Sequence, residues 1–536
     1  MAASPYAIRR CWTAGLSGSA MVADVPAAAP ALLQQLVAEQ ARRQPQAPAL
    51  WWQGQATSYA ALQAQIERLS GALAGTGQVG DRIGVLAWNC PLFLTLIYAV
   101  PAAGRVLVPL NARLAPAELQ LQIEEAGVSL LFADSELLAP LEQGAVLPTE
   151  LVVLPLDRVN DWLDTASTAP LPACDPAQPV WILYTSGSTG RPKGAVLTHR
   201  SFLAGLCSAL IGRPVQPGDR FLYPFPLFHV AAHNVLLQHW QGAGVVLLPR
   251  FEAGEVLAAC RQLKVTAMSL APTMIAMLLD HPDYRREDLA SVRSIGYGAS
   301  AMPADLLQRL LREADIDLCQ SYGMTELSGS VAFLTPEDHR RAAREAPHLL
   351  ASVGRPLFTA ELRLLDDRDQ PVPPGERGEI VVRAAQCLRE YWRQPEATAA
   401  ALVDGWLHTG DIGRFDEEGY LYIVDRKKDM VLSGGENVAS REVEDVLRRH
   451  PAVRDCAVIG LPDARWGEAV TGVVVLDAEA SEEDLRDHCR NHLAGYKTPR
   501  RFFRVEALPL NAAGKVDKPS LRRRFAGEPD TATMAG

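Results

Sequence analysis

The chain has 536 residues, 48% of them hydrophobic and 21% charged, a globular balance on a length too great for one ordinary core. Its formal charge of −10 excludes a general nucleic-acid binder, since no basic excess exists to neutralise phosphates, though it leaves room for a local basic groove around a nucleotide. Nine scattered cysteines with no C-x-x-C pair predict reduced thiols in the cytoplasm and no disulfide framework.

In chain order, residues 1–30 read as a poorly ordered extension. Arg9 and Arg10 are followed by no continuous apolar run, so no secretory signal is expected, and Met21 is a more ordinary start. Helical periodicity follows in "ALLQQLVAEQARR" and "YAALQAQIERLSGALA" over 31–75. From Gly80 the pattern alternates strand, helix, strand: "RIGVLAW", "PLFLTLIYAVPAAG", "RVLVPL". The most apolar window, Pro91 to Leu110, is broken by Pro101, Gly104 and Arg105, which fits a buried helix and strand better than a membrane span. Further strands are predicted at "SLLFA", "VWILY", "VVLLP", "VTAMSL" and "SVRSIGYG", with helical stretches between them. Such alternation predicts parallel βαβ units in a covered sheet.

After about residue 360 the texture changes. "ELRLLDDRDQPVPPGERGEIVVR" and "DIGRFDEEGYLYIVD" read as hairpins around Pro- and Gly-rich turns. Beyond "DRKKD" at 425–429, "SREVEDVLRRHP", "VRDCAVIGLP", "TGVVVL" and "SEEDLRDHCRNHL" have the size and mixture of a separate small domain. The expected division is therefore 1–30, 31–425 and 426–536, with "AGEPDTATMAG" as a solvated tail.

Four motifs carry candidate chemistry. "YTSGSTGRPKGAV" follows the strand "VWIL", so its amides and hydroxyls emerge where α/β folds bind ligands. Gly187, Gly190 and Gly194 let the backbone approach an anion; Thr185, Ser186, Ser188 and Thr189 can donate to it; Lys193 adds a positive charge. The spacing is not that of a Walker loop, because no hydroxyl follows Lys193 to hold a metal. Alone, the loop also reads as a flexible surface turn. "SYGMTE" at 321–326, preceded by "YGASAMP", offers an aromatic, a hydroxyl and a carboxylate for a base, a phosphate and Mg²⁺, or a bland strand-end turn. "DGWLHTGDIG" places Asp411 where it can take two sugar hydroxyls or simply stabilise a turn. "NAAGKVDK" sets Lys515 after a glycine.

Together with "PLFHV" and "YIVDRKKDMVLSGGENV", these motifs stand in one order along almost the whole chain, and in that arrangement the chain resembles the adenylate-forming superfamily: AMP-forming acyl-CoA synthetases (CoA ligases), firefly-type luciferases and peptide-synthetase adenylation domains. The resemblance implies an α/β fold: a large N-terminal domain of α/β layers with parallel sheets and a small β-barrel-like part, then a small mobile C-terminal α+β domain. It implies an enzyme that joins a carboxylic acid to ATP as acyl-AMP and passes the acyl group to CoA, with ATP, Mg²⁺ and CoA as its small-molecule partners. By the same resemblance Thr185, Ser186, Gly187, Ser188, Thr189, Gly190 and Lys193 hold the β- and γ-phosphates. Gly298, Ala299 and Ser300 line the adenine with Tyr322 and Gly323, Thr325 meets the α-phosphate, and Glu326 holds the metal. Asp411 and Arg426 bind the ribose, and Lys515 bridges the acid and the α-phosphate. Lys428 is the hinge, and Gly434 and Gly435 let the pantetheine pass.

His229 of "PLFH" would border the acyl pocket, with Val230, Ala231, Ala232, Met324 and Val331 as its other walls. The i, i+4 pair His229 and His233 lacks the glutamate of H-E-x-x-H, and His488 and His492 read as surface residues. Departures from the family pattern are Leu510 and Ala513 in the lysine loop, and "NVAS" where "NVYP" is common. The alternative to a CoA ligase is a stand-alone adenylation enzyme loading an acyl or amino acid onto a carrier protein. Against it, His229 stands where amino-acid-activating members carry an aspartate. No arginine is evident for a second carboxylate, so a medium-chain or aromatic monocarboxylic acid is expected, and a homodimer is left open.

Overall fold

The computed structural model describes residues 30–185, 192–213, 215–298, 302–433, 436–463, 466–511 and 514–526, and residues 31–536 cluster as one compact unit. The expected extension over 1–30 and the tail therefore lie almost wholly outside the described residues, as do Ser186, Gly187, Ser188, Thr189, Gly190, Ala299, Ser300, Gly434, Gly435 and Ala513.

Among the described residues, two large sheets form the N-terminal part. One has nine strands, and its centre is parallel: Asp317–Met324 pairs with Ser294–Gly298, then come Ala267–Ser269, Arg220–Tyr223, Gly244–Leu247 and Pro48–Trp52. The second has seven, with Val106–Leu110, Arg82–Leu86 and Val128–Ala133 as its parallel core and Pro179–Thr185 beside them. These strands are apolar on both faces because helices cover them, as the βαβ pattern predicts. Trp181 and Phe202 meet edge to face at 4.9 Å in that core. The helix Pro91–Ala102 begins with Pro91 in its first turn and Cys90 Sγ accepting from the Phe93 amide, and its interior is buried all round. No helix among the described residues is long and apolar enough to cross a membrane.

The expected hairpins are present. Ala360–Leu365 pairs antiparallel with Arg377–Ala384, and Trp406–Phe415 with Leu421–Arg426, in a five-stranded antiparallel sheet that is the β-rich part of the large domain. One hairpin is not evident from the sequence. Between the first two helices, Pro48–Trp52 turns back into Gln55–Ser58 through Gln53 and Gly54, both at positive φ.

The C-terminal part has its own core. Strands Val453–Asp463 and Gly467–Leu476 form a long antiparallel pair, with Arg501–Arg504 added in parallel. Helices Ser440–Leu447 and Glu482–Arg490 bury Val443, Leu447, Leu485 and Cys489 among Val458, Val470 and Val474. The last helix, Lys518–Phe525, stacks Phe525 on Phe503 at 4.2 Å.

Candidate active site

The ends of the parallel strands define the site. Gly298 lies opposite Ser321, so the strand ending in Gly298 delivers its terminus beside Tyr322, Gly323 and Met324. Gly323 admits no side chain: a Cβ there would stand 1.9 Å from the Gly329 carbonyl oxygen. The short helical turn Thr325–Leu327 follows, closed by Ser328 at φ 50°.

Glu326 in that turn is 5% exposed. Its Oε1 accepts from Thr185 Oγ1 at 3.1 Å and from the Tyr391 hydroxyl at 3.0 Å, and its carbonyl accepts from the Leu388 amide at 2.7 Å. Thr185 and Lys193 face each other across the antiparallel pair that flanks the Gly/Ser loop, and Lys193 Nζ lies 5.0 Å over the Tyr391 ring. One node thus joins the loop's two described ends, Thr185 and Lys193, to the carboxylate of "SYGMTE". Burial, then the charge of Glu326, pushes the Tyr391 hydroxyl far up, so it serves as a donor at all working pH values. Tyr391 was not singled out in the sequence, because it contacts Glu326 across 65 positions of chain.

A second node lies on the antiparallel hairpin. Asp411, 3% exposed, pairs in register with Arg426, whose Nε is 2.6 Å from Oδ1. Tyr322 donates its hydroxyl to Oδ2 at 2.7 Å, and the Asp411 amide donates to Thr409 Oγ1 at 3.1 Å. The Arg426 contact is an ion pair without a directed hydrogen bond, so Oδ1 remains a buried acceptor with room for a hydroxyl donor.

Beside this second node opens a cavity of about 210 Å³, walled by Tyr322, Gly323, Asp411, Asp425, Arg426 and Lys515. Lys515 reaches it from the C-terminal part on a tight turn: Gly514 sits at φ 75°, Asn511 Oδ1 accepts from the Lys515 amide, and the Asn511 amide donates to the Lys515 carbonyl. Desolvation by the cavity walls, then the charges of Arg426 and Lys428, lowers the pKa of the ammonium, opposed by Asp411. Parts of Lys515 remain open to solvent, which moderates this shift.

His229 is mostly enclosed and packs edge to face on Phe228 at 4.8 Å. Burial pushes its pKa down to about 4, and the cations of Arg113 and Lys515 add to the effect, so the imidazole is neutral at pH 7. The turn Val230–Ala232 and the helix His233–Trp240 continue from it. His233 is core: its Nδ1 is 2.9 Å from the Val230 carbonyl oxygen, and a Cβ on Gly329 would lie 3.6 Å from its ring. No group of three or more metal-ligating residues occurs among the described residues, so the His229/His233 spacing builds no metal site. Ala232 and Val331 are fully buried, whereas Val230, Ala231 and Met324 are half-buried. His488 holds the Val446 carbonyl oxygen at 3.0 Å, meets His450 edge to face at 5.1 Å and lies tilted against His492 at 4.7 Å.

Lys428 is exposed in a turn after Arg426, with its carbonyl accepting from Arg522. The "NVAS" departure has a structural counterpart. The Ser440 amide and hydroxyl donate to Asp425 Oδ2 at 2.5 and 2.8 Å, and its Oγ accepts from Lys518 Nζ at 2.6 Å. Lys518 also pairs with Glu444 at 2.7 Å.

Known proteins are similar to this chain in sequence and fold. Residues 37–392 match the family described as AMP-binding enzyme, and residues 442–515 match the AMP-binding enzyme C-terminal domain. A feruloyl-CoA synthase of an Amycolatopsis species is 39% identical over 494 residues, covering 90% of this chain and 97% of its own. A long-chain-fatty-acid–CoA ligase of Mycobacterium tuberculosis is 34% identical over 482 residues, 88% of this chain and 93% of its own. The o-succinylbenzoate coenzyme A synthetase of Bacillus subtilis, solved in complex with ATP and magnesium ion, superposes with a TM-score of 0.81 at 32% identity, covering 91% of this chain and 98% of that one.

Proposed function

The chain belongs to the AMP-binding enzyme family, and from that premise we propose that it is an AMP-forming carboxylic acid–CoA ligase acting on a medium-chain or aromatic acid. The observation that carries the proposal is the arrival of Lys515 in the cavity that also holds the Asp411–Arg426 pair and Tyr322. A carboxylate attacking a phosphate brings like charges together, so a cation must stand where charge builds. Lys515 can hold the acid against the α-phosphate, and its charge already reaches His229 at the mouth of the acyl pocket.

The other residues divide the remaining work. Asp411 and its ion-paired Arg426 suit the ribose hydroxyls, while Tyr322, Gly323 and Gly298 offer an aromatic ring and side-chain-free backbone to the adenine. Thr185 and Lys193 flank the pyrophosphate loop, and Thr325 stands beside Glu326 for the α-phosphate. The donor set around Glu326, one buried carboxylate with two hydroxyls, fits a magnesium ion that takes its other ligands from phosphate and water. Held there, the metal would neutralise phosphate charge.

For the thioester step, residues 426–536 are proposed to turn as a body about Lys428, withdrawing Lys515 and bringing Gly434 and Gly435 to the pantetheine. Two features support this: the small part has its own core, and Lys428 lies exposed between the parts. The eight described cysteines are free thiols, in keeping with a cytoplasmic enzyme.

Purified protein supplied with ATP, magnesium, CoA and a panel of acids is expected to release AMP and pyrophosphate and to form a thioester in proportion. Adenylate that accumulates without transfer to CoA, yet transfers to a carrier protein, would replace this reading with the carrier-loading one.

A further inference from the structure

Arg213 closes the helix His199–Gly212, with its amide on the Ala209 carbonyl at 2.8 Å, and turns its side chain inward until only 8% of the residue is exposed. Its Nη1 donates to Ser269 Oγ at 2.7 Å and, at 3.5 Å, to Asn234 Oδ1; its Nη2 donates to the Met268 carbonyl at 2.7 Å; the group lies 5.2 Å from the centre of the Phe221 ring. All three acceptors are neutral. Asp219, whose charge reaches it, is committed to an ion pair with Arg293 and to the Thr266 hydroxyl. Burial lowers the pKa only to about 10, so the guanidinium is a buried cation at pH 7 without a carboxylate in ion-pair contact among the described residues. With only neutral acceptors in contact, the guanidinium keeps donor capacity for a ligand.

Its position says which ligand. The guanidinium fills the space over Gly296, where a Cβ would stand 2.3 Å from Nη1, two residues before the strand ends at Gly298. Asn234, its long-range partner, donates its own amide to the carbonyl of Ala231 in the acyl-pocket turn. Through Asn234, Arg213 is therefore joined to the turn Val230–Ala232 that follows His229.

We propose that Arg213 sets the specificity of the acyl pocket by donating to an oxygen at the far end of the acid. Resting on the ligase reading above, this makes the preferred substrates carboxylic acids with a distal hydroxyl, ether or second carboxylate, over hydrocarbon acids of the same length. Three neutral acceptors leave the five-donor guanidinium with unused capacity for such an oxygen.

The test is acid-dependent ATP–pyrophosphate exchange, which needs no CoA, with matched acids: cinnamate, 4-hydroxycinnamate, 4-methoxycinnamate and 4-carboxycinnamate. The wild type is expected to favour the oxygen-bearing acids in kcat/KM by about tenfold or more, because a site built to donate discriminates against an analogue that cannot accept. The anionic and neutral arms rank the two kinds of acceptor. Arg213→Met should remove the preference mainly through KM, and Arg213→Lys should restore part of it. Wild-type enzyme that treats cinnamate and its oxygenated partners alike would overturn the proposal, as would Arg213→Met lowering every acid by one common factor. If Arg213→Met fails to fold, the wild-type comparison and Arg213→Lys decide. Exchange with no acid at all would instead remove the ligase reading, and this inference with it.

Discussion

The role proposed for Glu326 is to hold charge, beyond accepting the two hydrogen bonds it receives. Glu326→Gln keeps an oxygen for Thr185 and Tyr391 but removes the negative charge, so thermal stability should stay within a few degrees while the adenylation rate falls by about 10²–10³-fold. A single-turnover measurement of acyl-AMP formation beside a melting curve checks both halves. The buried imidazoles make a second residue-scale prediction. His199, His229, His233 and His239 all have pKa values pushed down to about 4 by burial, against 6.5 when exposed. Between those values the unfolded chain binds protons that the native protein does not, so stability rises with pH across this window. The contribution is complete above about pH 6.5 and is lost as pH falls toward 4. The melting temperature should drop over that range, and His229 should add no inflection to the activity profile between pH 6 and 8. An inflection there that vanishes in His229→Ala would show an exposed, titrating imidazole instead. Sequence motifs led directly to Glu326 and His229. They could not lead to Tyr391 or Arg213, because neither lies in a motif, Tyr391 meets Glu326 across 65 positions, and Arg213 meets its partners across 21 to 56.

Elements were legible where their period was strong, and their joints were not. The alternation of apolar strands and helices from Gly80 onward is realised as parallel strands. The small hairpin at 48–58 escaped because its strands are short and its turn rests on positive φ at Gln53 and Gly54. The Ser440 joint is the clearest case. "NVAS" was visible as a departure, but its meaning depends on Asp425, 15 positions away, and Lys518, 78 positions away. A proline at 440 would have no amide for Asp425, so this chain ties the strand Leu421–Arg426 to the helix Ser440–Leu447 by a bond that the common pattern lacks. Ser440→Pro should cost about 1–3 kcal/mol, since Asp425 is left a buried, poorly satisfied carboxylate, whereas Ser440→Ala, which keeps the amide, should cost about 1 kcal/mol. Urea midpoints for the two variants measure the difference; equal costs would mean that the amide bond is unimportant.

At the scale of the whole molecule, the cavity is completed by a lysine from the C-terminal part, the last of the ordered motifs in the chain. The network through Asp425, Ser440, Lys518 and Glu444 belongs to the same orientation, the one in which Lys515 lines the cavity. If the small part then turns about Lys428, each half-reaction uses a different set of residues, and the two can be separated by mutation. Lys515→Ala divides them most directly, with acyl-AMP formation and thioester formation from supplied acyl-AMP measured separately. Acyl-AMP formation is expected to fall by about a thousandfold or more, while the thioester step stays within about threefold of wild type. Equal loss of both half-reactions would contradict the role assigned to Lys515 and the alternation built on it.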